Sequence, residues 1–169
     1  SSGGRHMTPN KCLESKYLEK NGGNLGGSEL GKGMSGAPFL RYFQTKLANA
    51  VFTQALHEKL TAKDSNVKAF CADPGMSATS LANHFPDTNK DQLKAMAAKM
   101  QSSEDGSMGI LMGMLSPGAE SGKHYGPERT KGPAVINPSK PYETDPASIQ
   151  HLWETSVRLP RVSNSKCKN

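Results

Sequence analysis

The sequence predicts a mixed α/β domain, and three features carry that prediction. Residues 38–62 place apolar side chains at helical spacing over about seven turns. Residues 67–71 have the composition of a short buried strand, which an Asp-Pro-Gly turn ends. A helix followed closely by a strand is half of a βαβ crossover, the unit from which parallel sheets are built. The length of 169 residues suits one domain.

The first 38 residues are expected to be mostly irregular. Seven glycines between residues 21 and 38 predict a long loop. A short helix is predicted over residues 11–20, with Leu13, Tyr17 and Leu18 on one side. The main helix then begins near Pro38, because proline suits the first helical turn. Its apolar stripe consists of Leu40, Phe43, Leu47, Ala50 and Val51, and it continues through Phe52, Leu56 and Leu60.

Three more helices are predicted after the strand. They cover residues 90–100, the segment from a cap within residues 102–105 through Leu115, and residues 146–155. Residues 118–146 are rich in glycine and proline and are expected to be largely extended. Methionine fills irregular gaps in cores, so five methionines are predicted to pack inside rather than bind a soft metal. They are Met96, Met100, Met108, Met112 and Met114.

Composition excludes several classes of protein. No apolar run approaches the roughly 20 residues that cross a bilayer, so no membrane span is expected. The three cysteines, Cys12, Cys71 and Cys167, are far apart, which argues against a disulfide scaffold and favours a reducing intracellular compartment. The five histidines show no H-x-x-x-H spacing, so no metal site is predicted.

The net charge of +6 is concentrated at the end of the chain. Residues 155–169 hold four cations and no acid. We interpret residues 157–169 as a basic, disordered tail. The alternative is a nucleic-acid-binding segment, but no aromatic residue lies between these cations and no nucleic-acid-binding motif is present. We therefore expect no nucleic-acid partner.

One pair of residues carries a candidate chemistry. Tyr42 and Lys46 lie four positions apart on the main helix, so their side chains project side by side. An isolated phenol has a pKa near 10, which is too high for proton transfer at neutral pH. A neighbouring ammonium favours the phenolate and lowers that pKa, which creates a general acid/base. The spacing alone also occurs on ordinary amphipathic helices, so the surrounding sequence must indicate whether Tyr42 and Lys46 are catalytic.

The context resembles the short-chain dehydrogenase/reductase family. The resemblance is carried by the active-site helix YFQTKLANAVFTQALHEKL from Tyr42, and by the strand and turn VKAFCADPGMSAT from Val67. The initial SSG, the stretch ESGKHYG and the stretch LWETS also match, so residues 1–156 follow the family's order. The main helix is most similar to retinol-dehydrogenase-like members. The resemblance implies a partial doubly wound, Rossmann-like parallel sheet that corresponds to the C-terminal half of the family domain.

The resemblance also implies roles for particular residues. Tyr42 would exchange a proton with the substrate oxygen, and Ser2 would polarise that oxygen. Lys46 would lower the pKa of the phenol and bind the nicotinamide ribose, so Tyr42 and Lys46 both face the cofactor. The cofactor would be NADP, or NAD. The residues that would line its nicotinamide end are Pro74, Gly75, Met76 and Thr79.

The chain departs from the family pattern in three places. The family's serine precedes the tyrosine by about a dozen residues, whereas Ser2 is 40 residues away, as in members with an insertion. Ser28, 14 residues before Tyr42, is the alternative. The glycine-rich fingerprint of a first βα turn is not found and is expected upstream of Ser1. The last helix is expected to break after Ser156.

The expected function is therefore an NAD(P)-dependent oxidoreductase that interconverts a carbonyl and an alcohol. Residues 75–100 would form the substrate lid, and their Leu, Phe and Met content favours a hydrophobic small molecule. A homodimer through the helix that carries Tyr42 is also expected. The alternative is a catalytically inactive fragment that serves as a dimerisation or binding module.

Overall fold

The computed structural model describes residues 1–18, 36–79 and 90–158. Within these ranges four α-helices and three strands alternate with 3₁₀ turns at Gly3–Met7, Ser15–Tyr17 and Pro141–Glu143. In chain order the elements are α1 (Ala37–Thr61), β1 (Cys71–Ala72), α2 (Lys90–Ala97), α3 (Ser103–Leu115), β2 (His124–Pro127), β3 (Ala134–Asn137) and α4 (Pro146–Arg158).

The strands form one small mixed sheet in the order β1-β2-β3. β1 pairs in parallel with β2, with Cys71 opposite His124, and β2 pairs antiparallel with β3. The connection from β1 to β2 contains α2 and α3, as a parallel crossover requires. The prediction of a mixed α/β fold is confirmed, although the described sheet contains an antiparallel pair as well as a parallel one.

Helix α3 packs on this sheet through a row of glycines. A Cβ on Gly109 would lie 2.9 Å from the carbonyl oxygen of Tyr125, and one on Gly113 would lie 2.5 Å from the ring of Phe70. The N-terminal end of α3 is equally close, because a Cβ on Gly106 would meet Ser77. At Gly109 the helix therefore lies so close to the backbone of β2 that there is no room for a Cβ.

The main apolar core lies between α1 and α4. Phe52 of α1 also stacks on Trp153 of α4, with ring centres 5.9 Å apart. The centre of the predicted α1 stripe is confirmed, since Phe43, Leu47 and Val51 are buried, but its continuation is wrong at Phe52, which is exposed. Fully buried aliphatic side chains of this kind each stabilise the fold by about 1.5–3 kcal/mol. The cluster consists of Leu13, Leu47, Val51, Ala55, Ile149 and Leu152.

Two predicted elements are wrong in extent. Cys71 is the only residue of the strand predicted over 67–71 that lies in β1. The amide of Ala69 donates to the hydroxyl of Ser121 instead of to a carbonyl of a neighbouring strand. The helix predicted over 11–20 is replaced by the turn Ser15–Tyr17. There the side chain of Gln44 binds the carbonyl of Cys12 and the amide of Glu14, so these backbone groups bond to α1.

The remaining helices agree with the sequence apart from their ends. Ser102 caps α3 as predicted, because its hydroxyl accepts from the amide of Asp105 at 3.0 Å. α2 ends at Ala97, three residues early, and α4 continues to Arg158 rather than breaking after Ser156. Residues 159–169, which include most of the predicted tail, lie outside the described residues.

The prediction that the methionines pack inside is wrong for α3. Met108 and Met114 are 47% and 65% exposed, and Met112 is only half-buried. The side of α3 that faces the sheet consists of glycine, so its large residues point away from the sheet. Met100 is half-buried, and the side chain of Met96 lies outside the described part of the structure.

The glycine row generates a first prediction. Gly109→Ala places a methyl group against strand backbone, which cannot move aside cheaply, so we expect a loss of about 1–3 kcal/mol in unfolding free energy. Gly118→Ala is the control, because nothing lies within 4 Å of a Cβ there. Urea unfolding of both variants measures the difference, and equal midpoints would contradict this packing.

Candidate functional site

Helix α1 presents Tyr42 and Lys46 side by side, one turn apart. The Lys46 ammonium lies 5.3 Å from the centre of the Tyr42 ring, and both residues are half-buried. They lie on a helix that begins with a proline in its first turn and is anchored by the apolar core on its other face. The structure thus places the two side chains as the spacing predicts.

The N-terminal segment lies directly against this pair. The hydroxyl of Ser1 donates to the backbone oxygen of Lys46 at 3.0 Å, and the nitrogen of Ser1 donates to the oxygen of Ala72 at 2.7 Å. A Cβ on Gly4 would lie 3.0 Å from a Tyr42 ring carbon. Residues 1–4 therefore connect α1 at the level of Tyr42 to the carboxyl end of β1.

Ser2 lies within this segment, but its hydroxyl has a local partner. It accepts a hydrogen bond from the amide of Gly4 at 3.2 Å and caps the turn Gly3–Met7. An accepting hydroxyl keeps its own proton for donation, so this bond leaves a donor for another oxygen. The alternative serine, Ser28, lies outside the described residues.

The segment after β1 is fixed by its backbone. A carboxylate oxygen of Asp73 accepts from the amide of Gly75, and the amide of Met76 donates to the oxygen of Thr130 at 2.6 Å. Gly75 has a φ of +62°, and a Cβ there would lie 2.6 Å from that same oxygen. Pro74, Met76 and Thr79 are exposed on this segment. The carboxyl end of a parallel strand is where α/β sheets commonly bind ligands.

A buried ion cluster, which sequence reasoning missed, holds these segments together. Arg5 is 4% exposed, and its guanidinium bonds to Asp73 at 2.8 Å and to Glu143 at 2.6 Å. It also donates to the backbone oxygen of Ser2. We call Arg5, Asp73 and Glu143 the Arg5 cluster. Its members lie 68 and 138 positions from Arg5, so no spacing in the sequence marks them.

Two histidines border the Arg5 cluster. His124 is buried with Nε2 4.0 Å from Asp73, and within the described ranges this nitrogen has no hydrogen-bond partner. Burial, together with the charge of Arg5, lowers the pKa of His124 to about 3. His6 bonds to the Tyr142 hydroxyl at 2.7 Å, and burial lowers its pKa as well. The cluster is therefore flanked by neutral rings at pH 7.

Two concave pockets lie away from this region, and neither is lined by Tyr42 or Lys46. A pocket of about 370 Å³ lies between α1 and the segments that flank β2 and β3, and His57 and Ser121, hydrogen-bonded at 3.0 Å, line it. The other, of about 430 Å³, lies between α1 and α4 beside Trp153.

Within the described ranges, none of the helices has the length and apolar content of a membrane span. No group of three or more His, Cys, Asp or Glu side chains there could hold a metal ion. Cys12 and Cys71 are free thiols, exposed and buried respectively, and Cys167 lies beyond the described part.

No protein-family model matches the chain, and no curated protein matches it. Among solved structures the chain is similar to an uncharacterized protein from Mycobacterium paratuberculosis, with 25% sequence identity and a TM-score of 0.46. The similarity covers 70% of this chain but only 38% of that protein.

The Arg5 cluster generates a second prediction. Arg5→Met removes the cation and leaves two buried carboxylates without it, so we expect a loss of about 3–5 kcal/mol in unfolding free energy. Arg158→Met is the matched control, because Arg158 pairs with Glu154 on the exposed surface and should matter little. Chemical denaturation measures the unfolding free energies of both variants. Equal values would show that the Arg5 cluster does not stabilise the fold.

A third prediction concerns pH. His124 resists protonation when folded but ionises at its ordinary pKa of 6.5 when unfolded. Between that pKa and about 3 the unfolded state binds the extra proton, so stability falls as pH falls, by up to about 1.4 kcal/mol per pH unit. His124→Gln should remove this part of the slope. Unfolding free energies at pH 7, 6 and 5 test it, and parallel curves for both proteins would refute it.

Proposed function

We propose that this chain carries the catalytic portion of an NADP(H)-dependent oxidoreductase that interconverts a carbonyl and an alcohol on a hydrophobic small molecule. The single observation that supports it most is the position of the Lys46 ammonium, 5.3 Å from the centre of the Tyr42 ring. This pair lies beside residues 1–4, which hydrogen-bond to both α1 and β1. In this proposal the described α/β unit is part of a doubly wound, Rossmann-like domain of the short-chain dehydrogenase/reductase family.

Tyr42 acts as the proton donor in this proposal. In this proposal the positive charge of Lys46, which lies 5.3 Å from the centre of the Tyr42 ring, balances the negative charge that proton transfer leaves on Tyr42. The ring of Tyr42 lies beside Gly4, and Gly4 belongs to the same segment as Ser2. A substrate oxygen bound at this surface would therefore lie near the hydroxyls of both Tyr42 and Ser2. Ser2 orients that oxygen and Tyr42 protonates it.

The cofactor would contact the chain through its nicotinamide end. Pro74, Met76 and Thr79 are exposed directly after β1, and the backbone of Gly75 and Met76 is fixed by Asp73 and Thr130. This rigid, accessible backbone fits a planar ring, and Lys46 would bind the adjoining ribose. When bound, the cofactor supplies the hydride, while the chain supplies position and charge.

The substrate class in this proposal follows from the segment that would cover it. Residues 75–100 begin at the fixed Gly75 turn and contain Leu81, Phe85 and Leu93. Residues 80–89 and the Leu93 side chain lie outside the described part of the structure. The assignment of a hydrophobic substrate is therefore based on the apolar composition of this segment. Retinoids, long-chain aldehydes and ketosteroids are the corresponding substrate classes.

A fourth prediction tests the chemistry. With excess NADPH and retinal, decanal or a ketosteroid as substrate, Tyr42→Phe should lower the rate of NADPH oxidation about 10²–10⁴-fold, because it removes one donor oxygen and little packing. Thr45→Val, on the exposed side of the same helix, is the control and should retain the rate. Full activity in the Tyr42→Phe protein would exclude this role, and inactivity of the unmodified chain would favour the binding-module alternative.

A fifth prediction separates Lys46 and Ser2 by what each holds. Lys46→Met should slow turnover and weaken NADPH binding, because the ammonium is assigned to the ribose. Ser2→Ala should lower turnover with cofactor binding unchanged, and by more than Ser28→Ala. The proposed contacts reach only the nicotinamide end of NADPH. We therefore expect a Kd above 1 μM, which means a binding free energy less favourable than about −8 kcal/mol. Calorimetric titration with NADPH measures these affinities, and unchanged binding by Lys46→Met would contradict its role.

A further inference from the structure

Residues 74–78 follow β1 and form the surface that the nicotinamide would contact, and Gln101 is paired with their backbone. The amide of Gln101 donates to the oxygen of Met76, and the amide of Ala78 donates to the oxygen of Gln101, both at 2.9 Å. Ser77 and Gln101 thus form a parallel bridge outside the three strands. Gln101 immediately precedes the cap of α3, so this bridge joins the start of α3 to the segment after β1.

The side chain of Gln101 makes two further hydrogen bonds, to two different segments. Its Nε2 donates to the oxygen of Pro74 at 2.8 Å, and its Oε1 accepts from the amide of Gly132 at 2.8 Å. A carboxamide carries a donor and an acceptor on one planar group, so this single side chain links residues 74–78 to the loop between β2 and β3. The oxygen of Thr130 in that loop accepts from the amide of Met76 as well.

The peptide group that follows Pro74 is fixed at both its oxygen and its N–H. The oxygen accepts from Gln101 and from the hydroxyl of Ser77, the latter at 2.7 Å, which occupies both of its lone pairs. The N–H donates to Asp73, which pairs with Arg5. This peptide is therefore held by the Arg5 cluster through its N–H and by Gln101 through its oxygen.

We propose that Gln101 is a positioning residue for the cofactor, because it holds the backbone of Pro74 and Met76 where the nicotinamide end of NADPH would bind. This inference rests on the proposed function. Pro74 and Met76 are both exposed, so the position of their backbone depends mainly on hydrogen bonds rather than on packing. Loss of the Gln101 side chain should therefore weaken cofactor binding although Gln101 itself does not touch the cofactor.

Two substitutions separate the bonds of the Gln101 side chain. Gln101→Ala removes both side-chain bonds and leaves the backbone pairing with Met76 and Ala78 in place. Gln101→Glu keeps an acceptor for the amide of Gly132, but it directs a carboxylate oxygen, which cannot donate, at the oxygen of Pro74. We expect each variant to raise the Kd for NADPH about tenfold, because each loses the hydrogen bond that fixes Pro74.

Calorimetric titration with NADPH measures these affinities, and Gln150→Ala is the matched control. Gln150 is an exposed glutamine whose carboxamide bonds to Glu154 on α4, so its loss should leave the Kd unchanged. Partial unfolding lowers the fraction of chains that bind, but it leaves the Kd of the folded chains unchanged. A raised Kd therefore distinguishes positioning from a loss of stability, and melting curves give the folded fraction of each variant.

Hydrogen exchange at single amides tests the positioning without any cofactor. The amides of Met76 and Ala78 should exchange at least about tenfold faster in Gln101→Ala than in the unmodified chain or in Gln150→Ala, because the segment that carries them is released. Unchanged exchange at these amides overturns the inference whatever the chain binds.

The two measurements together separate this inference from the proposed function. Faster exchange with an unchanged Kd for NADPH overturns the role of Gln101 toward the cofactor, while the proposed function stands. Faster exchange in Gln101→Ala, with no NADPH binding by the unmodified chain, overturns the proposed function and the cofactor role together. Faster exchange with a raised Kd in both Gln101 variants, and neither change in Gln150→Ala, supports the inference.

Discussion

The buried guanidinium of Arg5 is the interaction on which the arrangement of the candidate site depends. It bonds to Asp73 after β1, to Glu143 before α4 and to the oxygen of Ser2. Three segments that are remote in sequence therefore share one cation. A buried cation with two carboxylates is costly to remove from water and is retained only where its geometry is complete. Backbone amides of Gly75 and Lys140 complete it by donating to the two carboxylates.

This constraint explains why an irregular N-terminal segment can sit at a defined place. Apart from the 3₁₀ turn Gly3–Met7, residues 1–7 have no α-helix or strand of their own, yet their backbone is held to β1 through Ala72 and to α1 through Lys46. Burial lowers the pKa of His124 and keeps its ring neutral at pH 7, and the charge of Arg5 adds to that effect. The candidate site thus combines a rigid helix, which carries Tyr42 and Lys46, with a segment whose position is set by charge.

The sequence predicted those parts of the fold whose signal is local. The apolar period of α1 and the cap at Ser102 are decided by neighbouring residues, and both are confirmed. Elements decided by distant partners were missed. The predicted helix over residues 11–20 does not form, and the side chain of Gln44 hydrogen-bonds to backbone groups of that segment instead. Met108 was expected to be buried but is exposed, because glycines occupy the side of α3 that faces the sheet. The period of apolar residues identifies a helix, but the small residues decide which side faces the sheet.

The candidate site divides in the same way. Tyr42 and Lys46 were found from their spacing because one helical turn fixes their separation, and the structure places them together. Arg5, Asp73 and Glu143 could not be found, because an ion cluster assembled across 138 positions leaves no pattern in a single sequence. The chemistry proposed for Tyr42 requires both kinds of residue. A phenol beside an ammonium becomes a useful acid only if the substrate oxygen is held next to it, and the segment that would hold that oxygen is anchored by Arg5. The two residues proposed to perform the chemistry are therefore close together in the sequence, whereas those that fix the geometry of the candidate site are not.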